Sequence, residues 1–322
     1  MKKAWLKLKQ GWKRWKPFLS PFLLGIICVF LGRALYTHWK EISAVQISAM
    51  GWACLAIATG ITLFAHVWTG WVWGWILQDL DQPVSCVWAA QAYLKTNIAK
   101  YLPSNLLHLY GRAIAAKDQG VPLSLASLSV LLDTLLMTAG GLILGLFCIP
   151  KDWLFMTLLG VTGILVVLHP RILDPVLNRL SASLRQTVAG AESHLLPKQL
   201  VRRYPTRALL GETVFVALRG LGFVMTVSAL TPISLGMVPT LVSIFSVGWV
   251  LGFITPGAPG GIGIFEVTVS TLLTQQGLFP DAPGFSIGVA ITAVAIQRLV
   301  STLAEALGAI LTWADERWPL SA

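Results

Sequence analysis

The chain has 322 residues, of which 55% are hydrophobic and only 12% charged, with a formal net charge of +10 at pH 7. Soluble domains carry about 25% charged residues, so the composition excludes a soluble globular protein and indicates an all-α polytopic membrane protein. No soluble domain of useful size fits between its apolar runs. Cys28, Cys54, Cys86 and Cys148 are far apart and form no CxxC pair, which argues against a zinc site or a disulfide framework; no cofactor or metal is expected.

Residues 2–16 hold seven basic residues and no acid, with Trp5, Trp12 and Trp15 among them. The segment 1–17 reads as an amphipathic stretch on an anionic cytoplasmic leaflet. It abuts a membrane span, which argues against nucleic acid as its partner. No small-residue cleavage site follows the first apolar run, so no cleaved signal peptide is expected.

A spanning helix needs about 20 apolar residues. Clear candidates are 18–37, 50–77, 122–149, 153–169, 207–230 and 285–312. The stretches 84–117 and 237–278 are apolar but broken near their middles by proline or glycine. The linker 170–206 is strongly basic, with Arg171, Arg179, Arg185, Lys198, Arg202 and Arg203 against Asp174 and Glu192. Positive charge marks cytoplasmic loops, so the N-terminus, this linker and the tail 313–322 are expected inside, in the inner membrane of the cell. An even number of crossings must then precede residue 170, which makes 84–117 a re-entrant hairpin; 237–278 is a hairpin or a pair of spans.

With hairpins, the membrane domain 18–312 divides into halves 18–149 and 153–312, each reading span, span, hairpin, span. Three full crossings per half invert the second relative to the first, the plan of many secondary transporters. The order of special residues repeats as well. Pro103, Gly111-Arg112, Gly120-Val121-Pro122 and Asp133 in the first half match Pro256, Gly263 with Glu266, Gly277 to Pro280, and Arg298 in the second.

The run ITPGAPGGIGIFE, residues 254–266, is the sharpest feature. Pro256, Gly257, Pro259, Gly260, Gly261 and Gly263 cannot continue a helix. Non-helical backbone at membrane depth needs polar partners from protein or a water-filled cavity, and Glu266 adds an ionisable group. The alternative is a surface loop joining two full spans. Arg219 lies midway along 207–230, where a charge is costly and marks a polar interior. Lys95, Asn97 and Lys100 precede the first hairpin break and could lead an anionic headgroup into it, or form an ordinary interfacial face. Glu305 lies two turns after Arg298 on the same helix face. Trp68, Trp71, Trp73, Trp75 and Trp88 fit an aromatic belt at one interface.

TPGAPGGIGIFE with Arg298 in a later helix, and YLPSNLLHLYGRAIAAKDQGV before it, resemble the membrane region of lysylphosphatidylglycerol synthases and their stand-alone relatives. The resemblance covers about residues 18–312. One departure is Leu132-Asp133, where that family often has Glu-Arg. The resemblance implies a flippase-like region acting on a polar-headgroup lipid, without the synthases' soluble aminoacyl-transfer domain.

The expected activity is therefore translocation or binding of a polar-headgroup lipid or lipid-linked intermediate, with an anionic or phosphate-bearing headgroup. A lipid synthase or glycosyltransferase is an expected partner. The expected substrate-binding residues are Pro103, Gly111, Arg112, Asp133, Arg219, Pro256, Gly257, Pro259, Gly260, Gly261, Gly263, Glu266 and Arg298, with no catalytic residue. The alternatives are an intramembrane lipid-modifying enzyme and a non-transporting accessory subunit. Neither a paired-histidine metal site nor a Ser/His nucleophile pattern favours the enzyme, and no GxxxxGK[ST] motif indicates ATP.

Overall fold

Serine side chains start the first two helices of the computed structural model, which describes residues 47–101, 107–146, 151–175, 204–255, 259–261, 263–275 and 287–317. No strand occurs among these described residues. Helix α1, Ala49–Asp79, is capped by Ser48, whose Oγ accepts from the Gly51 amide; α2, Cys86–Asn97, is capped likewise by Ser85. Such caps satisfy amides that a helix start leaves open. A 3₁₀ turn, Ile98–Tyr101, follows α2. Helix α3, Leu107–Asp118, ends where Gly120 takes φ +89° and the Val121 amide returns to the Ala116 carbonyl. Then come α4, Leu123–Gly145; α5, Lys151–Val167; α6, Thr206–Ser228; and α7, Val238–Ile254. A 3₁₀ turn at Pro259–Gly261 leads to α8, Ile264–Gln275, and α9 is Ile287–Arg317.

Among the described residues, five segments have the length and composition to cross a membrane: Ala49–Asp79, Leu123–Gly145, Thr206–Ser228, Leu235–Ile254 and Val289–Arg317. Four of them fall on expected spans. The fifth, Leu235–Ile254, lies in the stretch 237–278; its chain stays helical until Thr255, so the break comes after a full span length rather than in mid-leg. The expected span 153–169 lies in α5, whose uniformly apolar part, Leu158–Val167, is short. The expected span 18–37 and the basic N-terminal segment lie outside the described residues. Helix α9 continues to Arg317, into the expected tail.

Among the described residues the buried apolar side chains form several clusters, two of them large. Helices α1–α4 gather around Trp73, Leu77, Leu125 and Leu136. Helices α6–α9 gather around Phe223, Phe245, Val269 and Ala293. Between them α1 and α6 pack closely along their lengths. Outer faces carry large apolar side chains: Trp52, Phe64, Phe155, Leu210 and Val267 are each more than half exposed. Apolar groups on every outward face suit hydrocarbon rather than water.

The Trp cluster is more than an interfacial belt. Trp73 is fully buried and donates from Nε1 to Ser129 Oγ at 3.1 Å, while Trp68 donates to the Gly211 carbonyl at 2.8 Å. An indole buried in a core needs such an acceptor.

Candidate functional site

Most buried charged side chains of the described residues gather in one region of the helix bundle. A partly open cavity with room for about 70 Å³ of water lies among the helices. It is lined by His66 of α1, Tyr93 and Asn97 of α2, Lys100 of the first 3₁₀ turn, His108 and Arg112 of α3, Met137 of α4, Phe215 and Arg219 of α6, Trp249, Gly252 and Phe253 of α7, Gly260 and Gly261 of the second 3₁₀ turn, Phe265 of α8, and Gln297, Arg298 and Ser301 of α9. The two 3₁₀ turns meet at its edge, where a Cβ on Gly260 would stand 3.3 Å from the Tyr101 ring.

Three ionic clusters stand behind the wall. In the first, Arg112 Nη1 donates to Asp133 Oδ2 at 2.6 Å, and both residues are buried. The Arg112 guanidinium lies over the Tyr93 ring, 4.5 Å from its centroid. Beside Asp133 is Glu212 of α6, fully buried, with both carboxyl oxygens 3.0 Å from Thr69 Oγ1. In the second, Glu305 of α9 accepts from Lys100 Nζ at 2.6 Å and from the Tyr101 hydroxyl at 2.9 Å. His66 Nε2 stands 3.1 Å from Glu305 Oε1 and 2.9 Å from Arg219 Nη1, so its tautomer decides which of the two it bonds. In the third, Arg298 donates from Nε to Glu266 Oε1 and from Nη1 to the Gly260 carbonyl, each at 2.6 Å. Glu266 Oε2 accepts from the Gly263 amide at 2.7 Å.

Among the described residues, the wall carries Lys100, Arg112, Arg219 and Arg298 but no carboxylate. Asp133, Glu266 and Glu305 hold those cations from outside the lining. Several polar atoms on lining residues have no partner among the described residues: His66 Nδ1, Asn97 Nδ2, His108 Nδ1, Arg219 Nε and Arg298 Nη2. Buried polar atoms are normally paired, and these unpaired ones all belong to residues that line the cavity.

Of the expected site residues, Arg112, Arg219, Gly260, Gly261 and Arg298 line this one cavity, with Asp133 and Glu266 one contact behind it. Pro259 opens the 3₁₀ turn. Gly261 takes φ +72°, and a Cβ there would come within 2.9 Å of Gly252 Cα, so the turn lies backbone to backbone on α7. Gly263, with φ +86°, is outside the lining, and Gly111 packs α3 against Thr96 of α2. Pro103, Pro256 and Gly257 lie outside the described residues. His66, Tyr93, His108 and Glu212 escaped the sequence reading. Glu212 had a signal, a carboxylate within an apolar span; the others look like ordinary helix residues until neighbouring helices are placed.

No protein-family model matches this chain, and no curated protein does. The class that fold and site define is a multi-pass helical membrane protein with a buried cationic cavity.

Proposed function

We propose that this protein binds and translocates a lipid with a phosphate-bearing headgroup, which would enter the cavity among the helices. The observation that carries the reading is the wall itself: four cationic side chains and, among the described residues, no carboxylate, with Arg219 midway along a candidate span. Charges at that depth are costly and mark substrate pathways. Arginines offer the planar forked donors that suit a phosphate. The resemblance to the lysylphosphatidylglycerol synthase membrane region points the same way.

The reading includes two re-entrant hairpins, α2–α3 and α7–α8, related by an inverted repeat. Helices α2, α3 and α8 have 12 residues each, about 18 Å long, against a hydrocarbon core of about 30 Å. Helix α7, with 17 residues, is longer, about 26 Å. Arg112 with Asp133 and Glu266 with Arg298 occupy corresponding places, second leg against following span, with the signs exchanged. The N-terminus, linker and tail face the cytoplasm in this arrangement, and the protein is a transporter rather than an enzyme.

Proteoliposomes containing a fluorescent phosphatidylglycerol test the reading. The protein is expected to expose inner-leaflet label to an impermeant quencher faster than protein-free vesicles, and Arg219→Gln and Arg298→Gln to slow it. Unaccelerated exposure together with no binding of the labelled lipid would overturn the proposal.

A further inference from the structure

Around Asp133 the charges do not balance. Two carboxyl groups, Asp133 and Glu212, are fully buried and lie within hydrogen-bonding reach of one another. A single guanidinium, Arg112, serves them, and it bonds only Asp133 Oδ2. Asp133 Oδ1 has no donor among the described residues. Glu212 is approached by one hydroxyl, Thr69 Oγ1, which has one proton to give to two oxygens. Among the described residues, Arg112 is the one cation that acts on either carboxyl group. Helix α1 brings Thr69, with His66 engaged by Arg219 and Glu305; α2 brings Tyr93; α3 brings Arg112. Helix α7, packed on both α4 and α6, has no titratable side chain. On α9, Glu305 is held by Lys100 and Tyr101.

Two carboxylates side by side in a buried site cannot both ionise against one cation; one proton between them removes the repulsion and supplies the missing donor. We propose that Asp133 and Glu212 share a proton, and that this pair couples entry of the anionic headgroup to uptake of a second proton. The link is Arg112, which faces the cavity on one side and Asp133 on the other. A phosphate on Arg112 neutralises the charge that holds Asp133 ionised. The pair then takes a proton from the water of the cavity, and the anion and proton occupy the protein together. When the anion leaves, Arg112 returns to Asp133 and the proton is released. Buried carboxylates in membrane spans serve as proton relays in this way.

The shared proton rests on the burial of the two carboxyls and the shortage of donors around them; its coupling role rests on the function proposed above. Difference infrared spectroscopy of the protein in lipid nanodiscs, without added substrate, reads the proton through the C=O stretch of a protonated carboxylic acid and its shift in D₂O. The wild type is expected to show the band at neutral pH. Glu212→Gln and Asp133→Asn should each abolish it, because each leaves one carboxylate for one guanidinium. Arg112→Gln should enlarge it, which a merely misfolded variant with open carboxylates would not do. Absence of the band from the wild type, or its persistence in both amide variants, would overturn the shared proton. Titration calorimetry with short-chain phosphatidylglycerol, in buffers of different ionisation heat, reads the coupling. The wild type should take up about one proton per lipid bound, and Glu212→Gln markedly less. Lipid binding without proton uptake would overturn the coupling. An infrared band with no lipid binding would support the shared proton and overturn the proposed function.

Discussion

Arg298 ties the broken segment at both ends: its Nε holds Glu266 Oε1 at the start of α8, and its Nη1 holds the Gly260 carbonyl in the preceding turn, each at 2.6 Å. One guanidinium thereby replaces backbone partners that the interrupted helix has lost. Glu266 is not free to leave, since its other oxygen takes the Gly263 amide. A double-mutant cycle of Arg298→Ala and Glu266→Ala should give a coupling energy of about 1–3 kcal/mol, read from thermal unfolding in detergent. Arg112 belongs to Asp133, so the cycle of Glu266 with Arg112 should be close to additive. Coupling to Arg112 of the same size would contradict this pairing.

Arg112→Ala should cost more than Arg298→Ala. It leaves Asp133 and Glu212 fully buried with no cation, and breaking a buried pair costs about 3–5 kcal/mol. Glu266 is partly exposed, its side chain 27% accessible, so water can replace some of what Arg298 gave. Protonation of the stranded carboxylates relieves the repulsion. The stability deficit of Arg112→Ala relative to wild type should therefore shrink as pH falls, whereas that of Arg298→Ala should change less. Unfolding temperatures across an acid-to-alkaline series measure both.

Gly261 and Gly263 of the second break differ in what surrounds them. At Gly261, an added Cβ meets Gly252 Cα at 2.9 Å on a backbone of φ +72°; at Gly263, φ is +86° but no atom lies within 4 Å. Gly263→Ala should cost only the backbone strain, about 1–3 kcal/mol. Gly261→Ala should cost more and displace the turn from α7. Membrane abundance and unfolding temperature of the two variants rank them; equal losses would mean that the approach to Gly252 carries no weight.

Much of this arrangement is visible in the chain. Long apolar runs place α1, α4, α6 and α9, and the prolines and glycines mark both breaks, because these signals are local. Arg112, Asp133, Arg219, Glu266 and Arg298 stand out because charge at membrane depth needs a reason. Which carboxylate meets which arginine is not local, and spacing alone left Glu266 open to either Arg112 or Arg298. The role of Glu212 depends on α6 lying against both α1 and α4. Trp73 reads as interfacial from its neighbours in sequence, yet Ser129, fifty-six residues away, gives its indole a partner in the core.

Lys100 separates the demands of stability from those of the cavity. Its Nζ donates to Glu305 Oε1 at 2.6 Å, but Glu305 keeps the Tyr101 hydroxyl at 2.9 Å and has His66 and Arg219 beside it. Lys100→Met preserves the length of the side chain and removes one of the four charges on the wall. Folding should survive, at a cost of about 1–3 kcal/mol for the lost charge-assisted bond. The effect on an anionic ligand should be larger in proportion, because Glu305 then draws on Arg219 and lowers the positive potential of the wall. Lys95 is the control: it pairs with Glu316 on the surface, away from the cavity, and an exposed pair contributes about 0–1 kcal/mol. Titration of both variants with short-chain phosphatidylglycerol in nanodiscs measures the difference. Lys100→Met should weaken binding several-fold and Lys95→Met hardly at all. Equal effects would show that general surface charge, not the cavity wall, attracts the lipid.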